Sequence, residues 1–148
     1  MSFYSEYWEK FLESLNKKES FPLAAKKSAG DKNWIHWECF GQKGFKLIVS
    51  LDQNSDWICV NFGIDKRDQK YKFDTLKKNM GQINKNSGLD LRWDPLGKER
   101  SNTQAILTKY GVDIHNRSKW AEQHDWMLVC LEKMYFAFKP QVDCLQES

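Results

Sequence analysis

No CxxC pair occurs among the four cysteines, Cys39, Cys59, Cys130 and Cys144. They are scattered over two strand-like runs, one helix-like run and the C-terminal end. That scatter argues against a disulfide framework and for reduced, partly buried thiols. No stretch approaches the ~20 apolar residues of a membrane span. The start, MSFYSEYWEKF, carries Glu6 and Glu9 and no long apolar run, so it does not read as a signal peptide. The expected setting is the cytoplasm of a microbe or of its virus. A dominant charge is missing as well, since 23 basic and 20 acidic residues leave a net charge of +3. Bulk attraction to nucleic acid is therefore not expected, and any such contact has to be a local patch. The chain has no internal repeat and no low-complexity segment.

What is present is a foldable chain. Its 148 residues suit one domain, here expected over 1–140 with 141–148 as a loose tail. It is 41% hydrophobic and 14% aromatic, too apolar for a disordered segment. The seven Trp are many for this length. Trp serves both cores and binding surfaces, so composition leaves both uses open.

Periodicity assigns the elements. Tyr4, Tyr7, Trp8, Phe11, Leu12 and Leu15 form one apolar stripe, predicting a helix over Phe3 to Lys17 with Ser2 as N-cap. Pro22 is expected to open a short helical turn through Lys27, followed by a loop with local positive charge from Lys26, Lys27 and Lys32. Strands are predicted at Trp34–Phe40, Phe45–Leu51 and Trp57–Ile64, joined by short turns as an antiparallel meander. Their alternation sorts two faces. Ile35, Trp37, Cys39, Phe45, Leu47, Val49, Leu51, Ile58, Val60, Phe62 and Ile64 make the core face. Trp34, His36, Glu38, Lys46, Ile48, Ser50, Trp57, Cys59 and Asn61 make a mixed second face, whose Trp and Ile call for more chain or a partner to cover them.

A second helix is predicted over Asp65–Asn86, with Phe73, Leu76, Met80 and Ile83 inward and Gly88 as its left-handed stop. The stretch LDLRWDPLGKERSNTQAIL, Leu89–Leu107, reads as two strands around a polar tip. A last helix is expected from Arg117 to Lys139, with Asn116 as N-cap and Pro140 at its limit. The order α-β-β-β-α-β-β-α predicts an α+β, two-layer domain: a largely antiparallel five-stranded sheet with three helices on one face.

The common catalytic signatures are missing from the sequence, while carboxylates paired across the fold leave no trace in it. It has no Gly-rich phosphate loop and no G-x-S-x-G. His36 and Cys39, three apart on a strand, point to opposite faces and do not ligate one ion. His115 and His124 lack metal-type spacing. His124 reads as a core histidine with one satisfied hydrogen bond. A metal-dependent nuclease needs clustered acids and a Lys at a strand end. Asp52, Asp56, Asp65, Asp90 and Asp94 are available, but no E-x-K or D-x-K triplet stands beside another acid. No metal, cofactor or catalytic residue is assigned. The tip Lys98-Glu99-Arg100-Ser101-Asn102, with Arg92, Trp93 and Lys109, is the best basic cluster beside an aromatic. Arg92, Lys98, Arg100, Ser101, Asn102 and Lys109 are thus candidate nucleic-acid contacts, and Trp34, Ile48 and Trp57 candidate partner contacts.

Tyr7-Trp8 in the first helix, Leu91 to Pro95, the Arg100-Ser101 step, and Trp120 with Trp126 in the last helix occur in an order that resembles a bacterial and archaeal family. It is the domain-of-unknown-function family numbered four-two-six-eight, and the resemblance covers nearly the whole chain. In that family the domain often follows a nuclease-like half in restriction-related proteins. This chain has no room for such a half and is expected to stand alone. The resemblance implies an accessory role near nucleic-acid processing and transfers no catalytic residue. The leading expectation is a non-enzymatic interaction module of DNA-processing or phage-defence systems. It would bind a protein partner or a second copy of itself as a homodimer, with nucleic acid as a further ligand. The alternatives are a partner-dependent nuclease and a small-ligand binder.

Overall fold

Helix α1, Phe3–Asn16, begins where Ser2 Oγ accepts the Ser5 N–H at 3.1 Å, the expected cap. It buries Tyr7, Trp8, Phe11, Leu12 and Leu15. The computed structural model of the chain describes residues 2–64, 70–93 and 103–145. Three antiparallel strands follow α1, namely β1 Trp34–Trp37, β2 Phe45–Leu51 and β3 Ile58–Ile64. Helices α2, Lys70–Lys78, and α3, Met80–Ser87, precede strands β4, Arg92–Trp93, and β5, Thr103–Lys109. A 3₁₀ turn at Arg117–Lys119 leads into α4, Trp120–Asp143. The class is the expected α+β, with a five-stranded antiparallel sheet, but four α-helices rather than three are described.

The sheet order is β1-β2-β3-β5-β4. Strand β5 reaches past β4 to pair with β3, so β4 becomes an edge. Strand β3 sits at the centre and is buried along its whole length. On one face the helices form the core. Phe138 of α4 stacks on Phe62 of β3 with ring centroids 4.0 Å apart, and Phe40 meets Phe62 edge-on at 5.3 Å. The core face expected from alternation is the buried one, except that Cys39 is only half-buried.

Several boundaries differ from expectation. The first strand ends at Trp37, which leaves Cys39 in a connection rather than a strand. Pro22 to Lys27 forms no helical turn. Leu23 instead plugs the core, and the carbonyl of Ala24 accepts the Trp37 indole N–H at 3.2 Å. The second helix breaks at Asn79, whose φ of −103° and ψ of 16° leave helical space. That break turns Met80 outward, to 45% exposure, against its expected inward place. Residues 65–69 of the expected helix lie outside the described residues. Gly88 closes α3 in the left-handed region at φ 71°, as its type allows.

Helix α4 runs through Pro140 to Asp143, beyond the limit read from that proline. Pro140 removes one backbone bond, but it is exposed, and fully buried Val142 anchors the last turn. All four cysteines are free thiols. Among the described residues no helix is long and apolar enough to cross a membrane.

Candidate functional site on the open sheet face

Four of the seven Trp have structural duties that tie neighbouring segments to the core. Trp8, Trp37 and Trp120 donate their indole N–H to the carbonyls of Lys32, Ala24 and Ile114 at 2.8, 3.2 and 2.6 Å. Trp93 donates to Asn84 Oδ1 at 2.9 Å and packs between Phe73 and Phe138. Half-buried Trp126 carries the Lys109 ammonium over its ring at 5.9 Å. Trp34 and Trp57 are different. They lie on the sheet face away from the helices and outside the main apolar cluster.

Strand register places the rows of this face. Arg92 stands opposite Ile106, Ile106 opposite Asn61, Asn61 opposite Ile48, and Ile48 opposite His36. The next row runs Thr108, Cys59, Ser50, Trp34. Trp57 and Tyr110 flank the paired Ile58 and Lys109 at one end of β3 and β5. Ring stacking joins Trp34 to His36 at 5.0 Å, and the Lys32 ammonium lies 4.8 Å over Trp34. The positive loop before β1 thus spends part of its charge on aromatic faces, since Lys26 similarly lies over Trp37.

The β3–β5 half of the face is hollowed into a depression of about 340 Å³. Its shape follows from side-chain size. The central strand presents Cys59, Asn61 and Gly63, which are smaller than the Ile48 and Ile106 on either side. Trp57, Tyr110 and Arg92 stand around the rim, and Tyr110 is 65% exposed. No carboxylate lines the depression among the described residues.

The floor is polar. Asn61 is only 8% exposed, and its Nδ2 donates to Gln104 Oε1. Its own Oδ1 is buried without a hydrogen-bond partner. An unmatched buried acceptor costs about 1–3 kcal/mol, which the surrounding fold has to offset. Thr108 Oγ1 donates to Cys59 Sγ at 3.8 Å. Burial pushes the Cys59 thiol up, while hydrogen bonds from Thr108 and Ser50 pull the other way.

The face gathers Trp34, Ile48, Trp57 and Arg92, which sequence reasoning had placed in two separate candidate sites. It excludes Lys109, which pairs with Ile58 and turns toward Trp126 of α4. Lys98, Arg100, Ser101 and Asn102 lie outside the described residues. The expectation missed Gln104, Thr108 and Tyr110, because facing β5 against β3 is a tertiary fact. Asn61 carried a signal, an amide inside the apolar run CVNF.

Other candidate chemistry resolves into structure. Asp52 caps its own turn through Asn54 N at 3.0 Å, and Asp56 Oδ2 accepts from Gly111 N at 3.2 Å. Asp65 and Asp94 lie outside the described residues. Among the described residues no group of three or more His, Cys, Asp or Glu is placed to hold a metal. His115 Nε2 meets the Gln53 carbonyl at 2.6 Å. His124 is the core histidine expected, and its buried Nε2 has no hydrogen-bond partner.

The family model described as Domain of unknown function (DUF4268) matches residues 3–142. No curated protein and no solved structure matches the chain.

Proposed function

The chain belongs to the family described as Domain of unknown function (DUF4268), and we propose that it is a non-enzymatic accessory module of DNA-processing or phage-defence systems. It works through the open sheet face. The observation that supports this reading is the collection of Trp34, Ile48, Trp57 and Arg92 on one face that the helices leave uncovered. Half-buried aromatics beside a cation are the composition of a contact surface. The β1–β2 half, with Trp34 stacked on His36 and half-buried Ile48, suits a protein, either a partner enzyme of the same system or a second copy of this chain.

Light scattering of the wild type and of a Trp34→Ala, Trp57→Ala double variant tests the reading. Where a nuclease or methyltransferase is encoded next to it, that enzyme is the partner to assay alongside. Loss of self-association or of partner binding in the double variant supports the face. Unchanged binding by a folded variant overturns it. Cleavage of DNA by the purified chain with Mg²⁺ would replace the reading with a nuclease.

A further inference from the structure

We propose that the depression between β3 and β5 binds single-stranded nucleic acid, with one base over the Asn61–Gln104 amide pair and a neighbouring base against Trp57 and Tyr110. The inference deepens the accessory role proposed above and rests on it for the biological setting only.

The amide pair is the specific feature. Two side-chain amides joined by one hydrogen bond always leave one amide's NH2 group and the other's carbonyl outside that bond. Here these are Gln104 Nε2, which that bond does not use, and Asn61 Oδ1, which is buried and unmatched. Exchanging O and N in both amides leaves the same complement, so the conclusion does not depend on which way they are turned. A ligand that satisfies the pair offers an acceptor to one residue and a donor to the other. Base edges carry both kinds of group, adenine N7 and N6 among them, and Asn and Gln are the side chains that read adenine.

The rest of the depression fits the same ligand. Trp57 and Tyr110 stand four residues along the strands from Asn61 and Ile106, a separation of roughly 13 Å. One base does not span that distance, whereas successive bases of a strand laid along the sheet do. Exposed aromatic rings stack on bases of any sequence. Arg92 shares a row with Asn61 through Ile106 and supplies a cation for the backbone phosphate. With no carboxylate in the described lining, the local charge favours an anion. A duplex leaves adenine N7 and N6 open in its major groove but keeps the base faces stacked, so it gives Trp57 and Tyr110 nothing to stack on.

Fluorescence anisotropy with a labelled single-stranded dA12 probe tests the proposal, with a dT12 probe, a duplex of the two and unlabelled AMP as competitors. The wild type is expected to bind dA12, more weakly as salt rises, and to prefer it to the duplex. Arg92→Ala is expected to weaken binding roughly tenfold and to reduce the slope of log K against log salt by about 0.7. Gln104→Ala is expected to weaken dA12 more than dT12. Arg92→Gln keeps the side chain's length at an exposed position and serves where a truncated variant does not fold. Absence of dA12 binding at low salt overturns the proposal. So does binding that these variants leave unchanged, duplex binding as tight as single-strand binding, or competition by AMP as effective as by the oligonucleotide. If the oligonucleotide fails while the Trp34→Ala, Trp57→Ala variant still loses its protein contact, the accessory reading stands and only the nucleic-acid site falls.

Discussion

Tyr7 on α1 donates its hydroxyl to Gln123 Oε1 on α4 at 2.9 Å, across 116 positions of sequence. Gln123 Nε2 then donates to the Asp113 carbonyl at 2.9 Å, so a single buried amide ties the first helix, the last helix and the loop before it. Gln123 is 4% exposed and Tyr7 fully buried, which leaves no water to replace a lost partner. Tyr7→Phe is therefore expected to destabilise by about 1–3 kcal/mol, the cost of an unmatched buried acceptor. Urea denaturation reads the change. In a double-mutant cycle with Gln123→Leu, which also breaks the bond to the Asp113 carbonyl, the two losses should be less than additive. A Tyr7→Phe effect below about 0.5 kcal/mol would remove this bond from the account of stability.

His124 sets a pH dependence. Its ring lies 4.5 Å from Tyr7 and 5.6 Å from Phe11, and burial lowers its pKa from 6.5 to about 4. Above pH 6.5 both the folded and unfolded states hold it neutral. Below that, the unfolded chain takes up a proton that the folded chain refuses until near pH 4. Stability is thus full above pH 6.5 and falls with acidity, by about 2 kcal/mol at pH 5. Unfolding curves of wild type and His124→Phe between pH 7 and pH 5 check this. The variant should lose most of the slope, and equal slopes would point to other groups.

The thiols should separate by reactivity. Cys144 is exposed at the end of α4, whereas Cys59 and Cys130 are buried. Burial pushes the thiols of Cys39 and Cys130 up to about 11, so little thiolate forms near neutrality. One rapid maleimide adduct at pH 7.5, mapped to Cys144, is expected in the native state, and the remaining thiols should label on unfolding. Rapid native labelling of Cys130 would contradict its packing.

The two classes of tryptophan should differ in energy. Trp8 is fully buried and anchors the Lys32 carbonyl, so Trp8→Ala is expected to cost about 3–5 kcal/mol. Trp57 is half-buried on the open face, and Trp57→Ala is expected to cost no more than about 1 kcal/mol. Thermal melts of both variants make the comparison. If Trp57→Ala proved as damaging as Trp8→Ala, the open face would be core rather than contact surface.

Local patterns determined much of this protein on their own. A 3.6-residue stripe from Tyr7 to Leu15 yields α1, and strict alternation from Phe45 to Leu51 and from Ile58 to Ile64 yields two strands with the correct inward face. Ser2 and Asn116 cap the element ends their side chains suit, and Gly88 the end that favours having none. These features depend on near neighbours, so a sequence contains them. The break at Asn79 and the passage of α4 through Pro140 do not follow from local preference, because long-range packing of residues such as Val142 outweighs it. The depression is the clearest case. Asn61 and Gln104 are 43 residues apart, and only the insertion of β5 between β3 and β4 brings their amides together with Trp57 and Arg92. Strand order is decided by which buried faces match across the whole core, and no stretch of the chain carries that information by itself.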